Sequence, residues 1–265
     1  MDDTDTSSPD SGSRSRTLSL AYEPSGPAAL QVGAARVCVI VPAYEAAASL
    51  DGVIDDLLAT LHCAPESLLV IDDGSTDDTS GIARRRGVHV VRCPVNQGKG
   101  AALLRGLEEA DRLGFGVALT VDADGQHPAR SAAELLSASA SPGDLVLGIR
   151  DLVRDGAPPK NRFSNGVSNF FLSFFSGHPL KDTQCGLRRY PVKETLALGA
   201  RAHGYAFEAE VILRSLAGKI PVIEHPTRVI YPPEHERVTH FDSVKDPMRI
   251  VVTVVRTLVD LRRSR

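Results

Sequence analysis

Between Val37 and Leu136 the chain passes four times through the same order: a short apolar run, a polar loop, then apolar residues at helical spacing. The runs are Val37 to Val41, Leu68 to Ile71, Val88 to Val91 and Val117 to Val121. The loops after them are Pro42-Ala43-Tyr44-Glu45, Asp72-Asp73-Gly74-Ser75, Asn96-Gln97-Gly98-Lys99-Gly100 and Asp122-Ala123-Asp124-Gly125-Gln126. Strands that alternate with helices pair in parallel, so the pattern predicts an α/β fold: a doubly wound, mostly parallel sheet flanked by helices. Loops at the carboxyl ends of such strands converge on one edge, where ligands bind. Four loops would then share one cleft.

Local signals fill in the rest. Leu50, Val53, Ile54, Leu57, Leu58 and Leu61 predict an amphipathic helix, with Ser49 placed to cap it. Thr76, Asp77 and Thr79 suit the start of a second helix that reaches about Arg86 and stops at Gly87. A third covers Lys99 to Leu113, and Pro128 opens a fourth. Asp144 to Ile149 reads as a fifth strand. Beyond Arg150 the alternation stops: Asp151 to Asn161, with Pro158-Pro159, reads as a mobile loop. Arg162 to Phe175 holds five of the eight phenylalanines. Gln184 to Tyr190 and Val222 to Tyr231 read as extended, and Phe207 to Leu216 as helical. A C-terminal amphipathic helix over 247–265 carries the stripe Met248, Val251, Val252, Val255, Leu258 and Val259, with Arg262, Arg263 and Arg265 at its end. Residues 1–33 read as a disordered tail with little regular structure before Arg36, and 34–246 as one catalytic domain.

A net charge of -3 argues against nucleic acid as a partner. Cys38, Cys63, Cys93 and Cys185 lack zinc or redox spacing and read as buried thiols of a reducing compartment, which makes the expected location cytoplasmic. No run of about 18 apolar residues is present to span a bilayer.

The acidic run carries the chemistry. Asp122, Asp124 and Gln126 gather hard oxygen donors at a strand end, where Mg2+ or Mn2+ and a diphosphate could meet, because such ions need only one or two carboxylates beside phosphate and water. Capping of the helix at Pro128 is the plainer alternative. Asp72 and Asp73 can accept hydrogen bonds from a nucleobase or ribose, or cap the helix that follows. Lys99 sits between two glycines, but Pro94 and Gly100 break the phosphate-loop pattern of ATPases. It either lies near a nucleotide or is a surface lysine.

The four loop segments, together with Val39-Ile40-Val41 before the first, Thr76-Asp77 after the second and Asp182-Thr183-Gln184-Cys185-Gly186 after the last, resemble the ordered motifs of family 2 glycosyltransferases, nearest to the polyprenyl-phosphate (dolichyl-phosphate) mannose and glucose synthases. The resemblance implies the GT-A fold and inverting transfer of a hexose from a UDP- or GDP-sugar to a polyprenyl phosphate. It implies that Pro42, Tyr44, Glu45, Asp72, Asp73, Lys99, Asp122 and Ala123 hold the nucleotide-sugar, that Asp122, Asp124 and Gln126 hold the metal, and that Asp124, Arg150 and Arg162 serve catalysis, the arginines at phosphate groups. Near the end, Thr239-His240-Phe241 and Asp246 replace the Gly-Ser-Lys element of the eukaryotic synthases, so Arg237, His240 and Lys245 receive no assignment.

Two alternatives remain open: transfer to a sugar or small-molecule hydroxyl, with Glu208 or Glu210 as base, and a catalytically silent nucleotide-sugar-binding scaffold. For a lipid acceptor, the phenylalanine segment and the nearby Lys160, Arg162, Lys181, Arg188 and Arg189 offer an apolar face beside cations, which suits a peripheral position on the inner face of the cytoplasmic membrane. Burial of the phenylalanines in the core is the competing expectation.

Overall fold

The computed structural model describes residues 29–202, 204–231 and 252–260. Most of the expected tail, Arg237, His240, Lys245 and the terminal arginines lie outside the described residues. Eight strands form the sheet: β1 (Gln31–Val32), β2 (Ala35–Ala43), β3 (Leu68–Asp72), β4 (His89–Arg92), β5 (Val117–Thr120), β6 (Leu145–Arg150), β7 (Arg188–Pro191) and β8 (Val222–Thr227). The helices are α1 (Leu50–Leu61), α2 (Thr79–Arg85), α3 (Lys99–Arg112), α4 (Ala129–Leu136), α5 (Pro159–Ser176), α6 (Val192–Ala197), α7 (Ala206–Ala217) and α8 (252–260).

The strand order is β4-β3-β2-β5-β7-β6-β8, and β7 alone on this path runs antiparallel to its neighbours. The expected doubly wound, mostly parallel sheet is therefore what forms. Both of its faces are buried. Val37, Val39 and Val41 of β2 face α1 and α4, whereas Cys38 and Ile40 face α3 and α7. Alternate residues of a strand point to opposite faces, which is why a strand covered on both sides reads as an unbroken apolar run.

Four expectations are corrected. Gln31–Val32 is not tail: it pairs antiparallel with β2 through a turn at Gly33 (φ +57), and Val32 is buried. The expected loop Asp151 to Asn161 ends early, because Pro159 starts α5, a place where proline's missing N–H costs nothing. Ser49 makes no capping bond; its hydroxyl donates instead to the carbonyl of Ala123 at 2.7 Å. Arg188 and Arg189 lie in the sheet interior, not on a surface. Their guanidinium groups are spent on main-chain carbonyls, of Cys185, Thr183 and Glu208 for Arg188 and of Leu136, Ser139 and Ser141 for Arg189.

The phenylalanines resolve the other way. Phe163, Phe170, Phe174 and Phe175 of α5 are exposed, while Leu172 on the opposite face is buried against the α3/α7 side. On α8, Val254 is buried and Val252, Val255 and Val259 are exposed.

Candidate active site

The loops after β2 and β3 are fastened to each other. Glu45 N–H donates to Ser75 Oγ (3.0 Å), Ala46 N–H to Thr79 Oγ1 (2.9 Å) and Ala47 N–H to Asp77 Oδ2 (2.9 Å), while Glu45 Oε1 accepts from the amide and hydroxyl of Thr76. Glu45 sits at φ +51, a left-handed conformation that a side chain resists and that these bonds hold in place. Pro42 and Ala43 end β2 beside Ile71 and Asp72, and Tyr44 is half-buried at the loop's start.

Asp72 and Asp73 both have protein partners. The fully buried Asp72 accepts from Ser75 N–H (2.8 Å) and from Ser80 Oγ, shaping the turn at Gly74. Asp73 accepts from the amides of Gln97 (3.0 Å) and Gly98 (2.7 Å), which ties the loop before α3 to the end of β3. Burial raises the Asp73 carboxyl above its usual range despite those two amides.

Lys99 opens α3 and points across to β5. Its Nζ lies 2.7 Å from Asp122 Oδ1, 3.7 Å from Glu208 Oε2 and 5.6 Å from the centre of the Tyr205 ring. Burial would lower its pKa, but the two carboxylates outweigh it and keep the ammonium charged. Burial pushes the Asp122 carboxyl up, but Lys99, His127 and Arg150 together outweigh it and hold it below the normal range. Gly186 closes this box: a Cβ there would overlap the Asp122 carboxylate and come within 2.7 Å of Lys99 Nζ.

Asp124 is exposed at the rim, and its Oδ1 accepts from the amide of Gln126 (2.9 Å). Protein crowding beneath it and the charge of Asp122 raise its pKa to about 6. Ala123 is anchored by Ser49, and the Gln126 carbonyl accepts from Ile230 N–H at 2.8 Å. Among the described residues no three His, Cys, Asp or Glu side chains gather into a metal cage. Two adjacent carboxylates, one of them reluctant to ionise alone, fit a hard cation that completes its shell with phosphate and water.

Arg150 is brought near Asp122 and His127, but its fork is spent on the buried Asp182, with Nε to Oδ2 at 2.7 Å and Nη2 to Oδ1 at 3.0 Å. Arg162 is exposed on α5. The segment after Asp182 joins α5 to the site. Thr183 bonds Asn169 and Ser168, Gln184 donates to Ser164 Oγ (3.2 Å), and Gly186 lies against Asp122.

Sequence reasoning gave no role to Gly186 or Tyr205 and missed His127. Burial drives the His127 pKa down to about 4; Asp122 opposes this, and Arg150 and Lys99 add to it. Its position directly after the acidic run was the one available signal. Glu208 and Glu210 are both buried in α7. Glu210 accepts from the amides of Arg201 and Ala202 and from Arg214 Nε.

The sheet order and the convergent loops define a mostly parallel α/β fold with a carboxylate pair at the end of β5. Residues 38–196 match the description Glycosyl transferase family 2. The chain belongs to that family, and it is a glycosyltransferase of GT-A fold. It is 30% identical over 212 residues to glycosyltransferase AglJ of Haloferax volcanii, covering 79% of this chain and 68% of that one. It is 30% identical over 205 residues to polyprenol monophosphomannose synthase of Mycolicibacterium smegmatis, covering 72% and 76%. Glucosyl-3-phosphoglycerate synthase of Mycobacterium tuberculosis, crystallised with Mn2+, UDP and phosphoglyceric acid, superposes with TM-score 0.63 at 20% identity, covering 86% of this chain and 78% of that one.

Proposed function

We propose that this glycosyltransferase moves a hexose, with inversion, from a UDP- or GDP-sugar to a polyprenyl phosphate, with Mg2+ or Mn2+ held by Asp122, Asp124 and Gln126. The observation that carries the proposal is the pairing of Asp122 with Asp124 at the end of β5, in the cleft where the loops after β2, β3 and β4 meet. A bound divalent cation there would offset the charge that grows on the departing diphosphate. In the proposal the nucleoside lies along the loops of Pro42, Tyr44, Glu45, Asp72 and Asp73, with Lys99 and Ala123 toward the diphosphate.

The acceptor oxygen forms the new bond to the anomeric carbon as the bond to the diphosphate breaks, and the electron pair leaves with the nucleoside diphosphate. A lipid phosphate is already ionised near neutral pH, so this needs no protein base. Its phosphate would approach Arg150 and Arg162. Two observations support a lipid acceptor: the mannose synthase relative carries polyprenol monophosphate in its name, and α5 exposes Phe163, Phe170, Phe174 and Phe175. An apolar helix face of this kind suits an interfacial position and supports the reading of a protein peripheral to the inner face of the cytoplasmic membrane. No described helix is long and apolar enough to cross a membrane.

A hydroxyl acceptor would need a base. Glu210 is committed to its helix and the loop before it, which leaves Glu208 for that second reading. The test supplies labelled UDP- and GDP-sugars with either a polyprenyl phosphate or a panel of sugar hydroxyls. Label extracted with the lipid phosphate supports the proposal; label found only on hydroxyl acceptors replaces it with the second reading.

A further inference from the structure

Glu208 is a buried carboxylate with an unmet need. It is 2% exposed, and its Oε1 has no hydrogen-bond partner. Two cations flank it at ion-pair distance only, Arg188 Nε at 3.6 Å and Lys99 Nζ at 3.7 Å. The Arg188 nitrogen nearest Glu208 is Nε, and its single N–H already donates to the carbonyl of Cys185 at 2.8 Å. Lys99 differs. Its ammonium carries three donors on a flexible stem, and it is seated on Asp122 at 2.7 Å. Gly186 and Gly100 are close-packed where a side chain would intrude on this pair: a Cβ at Gly186 would overlap the Asp122 carboxylate, and one at Gly100 would overlap Phe207, the neighbour of Glu208.

We infer that Lys99 is a positioning residue with two seats. It sits on Asp122 while the donor site is empty, and it swings onto Glu208 when a divalent cation takes Asp122. The exchange balances charge at each stage. Two cations on one carboxylate would repel each other in a low-dielectric pocket, whereas a lysine moved by about an ångström comes within hydrogen-bond distance of Glu208 Oε2, the oxygen beside the unpartnered Oε1. Glu208 thereby acts on the metal site through Lys99, without touching the metal. This inference rests on the reading of Asp122 as a cation ligand.

The test is a Mn2+ titration of the full chain, followed by the electron paramagnetic resonance of free Mn2+, in the wild type, Glu208→Gln, Lys99→Met and the double variant. Glu208→Gln weakens Mn2+ binding by about fivefold or more, because the displaced ammonium has nowhere to go. Lys99→Met binds Mn2+ at least as tightly as the wild type, and Glu208→Gln has no further effect in that background. Equal affinity in the wild type and Glu208→Gln would overturn the inference, as would the same loss with or without Lys99. Melting curves confirm folding; Lys99→Gln takes the place of Lys99→Met should the latter melt below the assay temperature. A wild type that binds no Mn2+, or binds it unchanged when Asp124→Asn is introduced, overturns the metal assignment itself and is distinct from these outcomes.

Discussion

The hydroxyl of Ser49 donates to the carbonyl of Ala123, 2.7 Å away and 74 residues later, so the start of α1 is bolted to the middle of the acidic run. Ser49→Ala removes that bolt. It costs about 1 kcal/mol of stability in urea unfolding, and it lowers kcat more than it changes the melting temperature would suggest. Unaltered turnover would show that the bond holds only the helix.

Arg150 and Asp182 form a buried pair, 14% and 0% exposed at their side chains. Asp182→Asn leaves a guanidinium without its counter-charge, and such losses cost about 3–5 kcal/mol. Burial raises the Asp182 pKa, but Arg150 more than offsets this and holds it below the usual carboxylate range. The ionised form therefore favours the fold above about pH 4, and this contribution fades as pH falls through the lower native value. Wild type should lose more stability than Asp182→Asn on acidification. Parallel pH profiles of the two proteins by thermal melting would contradict this.

How much of this was legible beforehand differs by element. The four apolar runs gave the parallel half of the sheet and its loops, because strands buried on both faces have no alternative pattern. The helix α5 was hidden by Pro158-Pro159, which marks a helix start as well as a loop. The buried Arg188 and Arg189 were unreadable, because charged residues suggest surface until their carbonyl partners, 48 to 53 residues distant for Arg189, are known. The same limit applies to Lys99: its neighbours in sequence are glycines, and only the fold brings Asp122, Glu208 and Tyr205 around it. Asp72 and Asp73 were legible as a loop-forming pair, but not as the acceptors that hold the turn after β3 and the loop before α3.

Asp124 has a pKa raised to about 6, so without metal the folded protein holds a proton there that the unfolded chain releases near pH 4. The apo protein accordingly loses stability as pH rises from about 4 to about 6. A cation must displace that proton. Titration calorimetry with Mn2+ in buffers of different ionisation enthalpy should show proton release at pH 5.5 and nearly none at about pH 8. Buffer-independent heats at both would remove Asp124 from the metal site.

The phenylalanines of α5 form two offset pairs, Phe170 with Phe174 and the half-buried Phe171 with Phe175, ring centres 6.2 and 6.3 Å apart. Phe170→Ser with Phe174→Ser should leave the melting temperature nearly unchanged, since both side chains are exposed. It should reduce sedimentation with anionic liposomes. Equal sedimentation of variant and wild type would count against α5 as the membrane face.

The most direct measurement is transfer of labelled sugar from its nucleotide to a polyprenyl phosphate by the wild type and by Asp124→Asn, each with Mn2+ and with a chelator. The account predicts labelled lipid from the wild type with Mn2+, and a drop of at least about 100-fold for the variant or the chelated enzyme. Undiminished transfer by Asp124→Asn would contradict it.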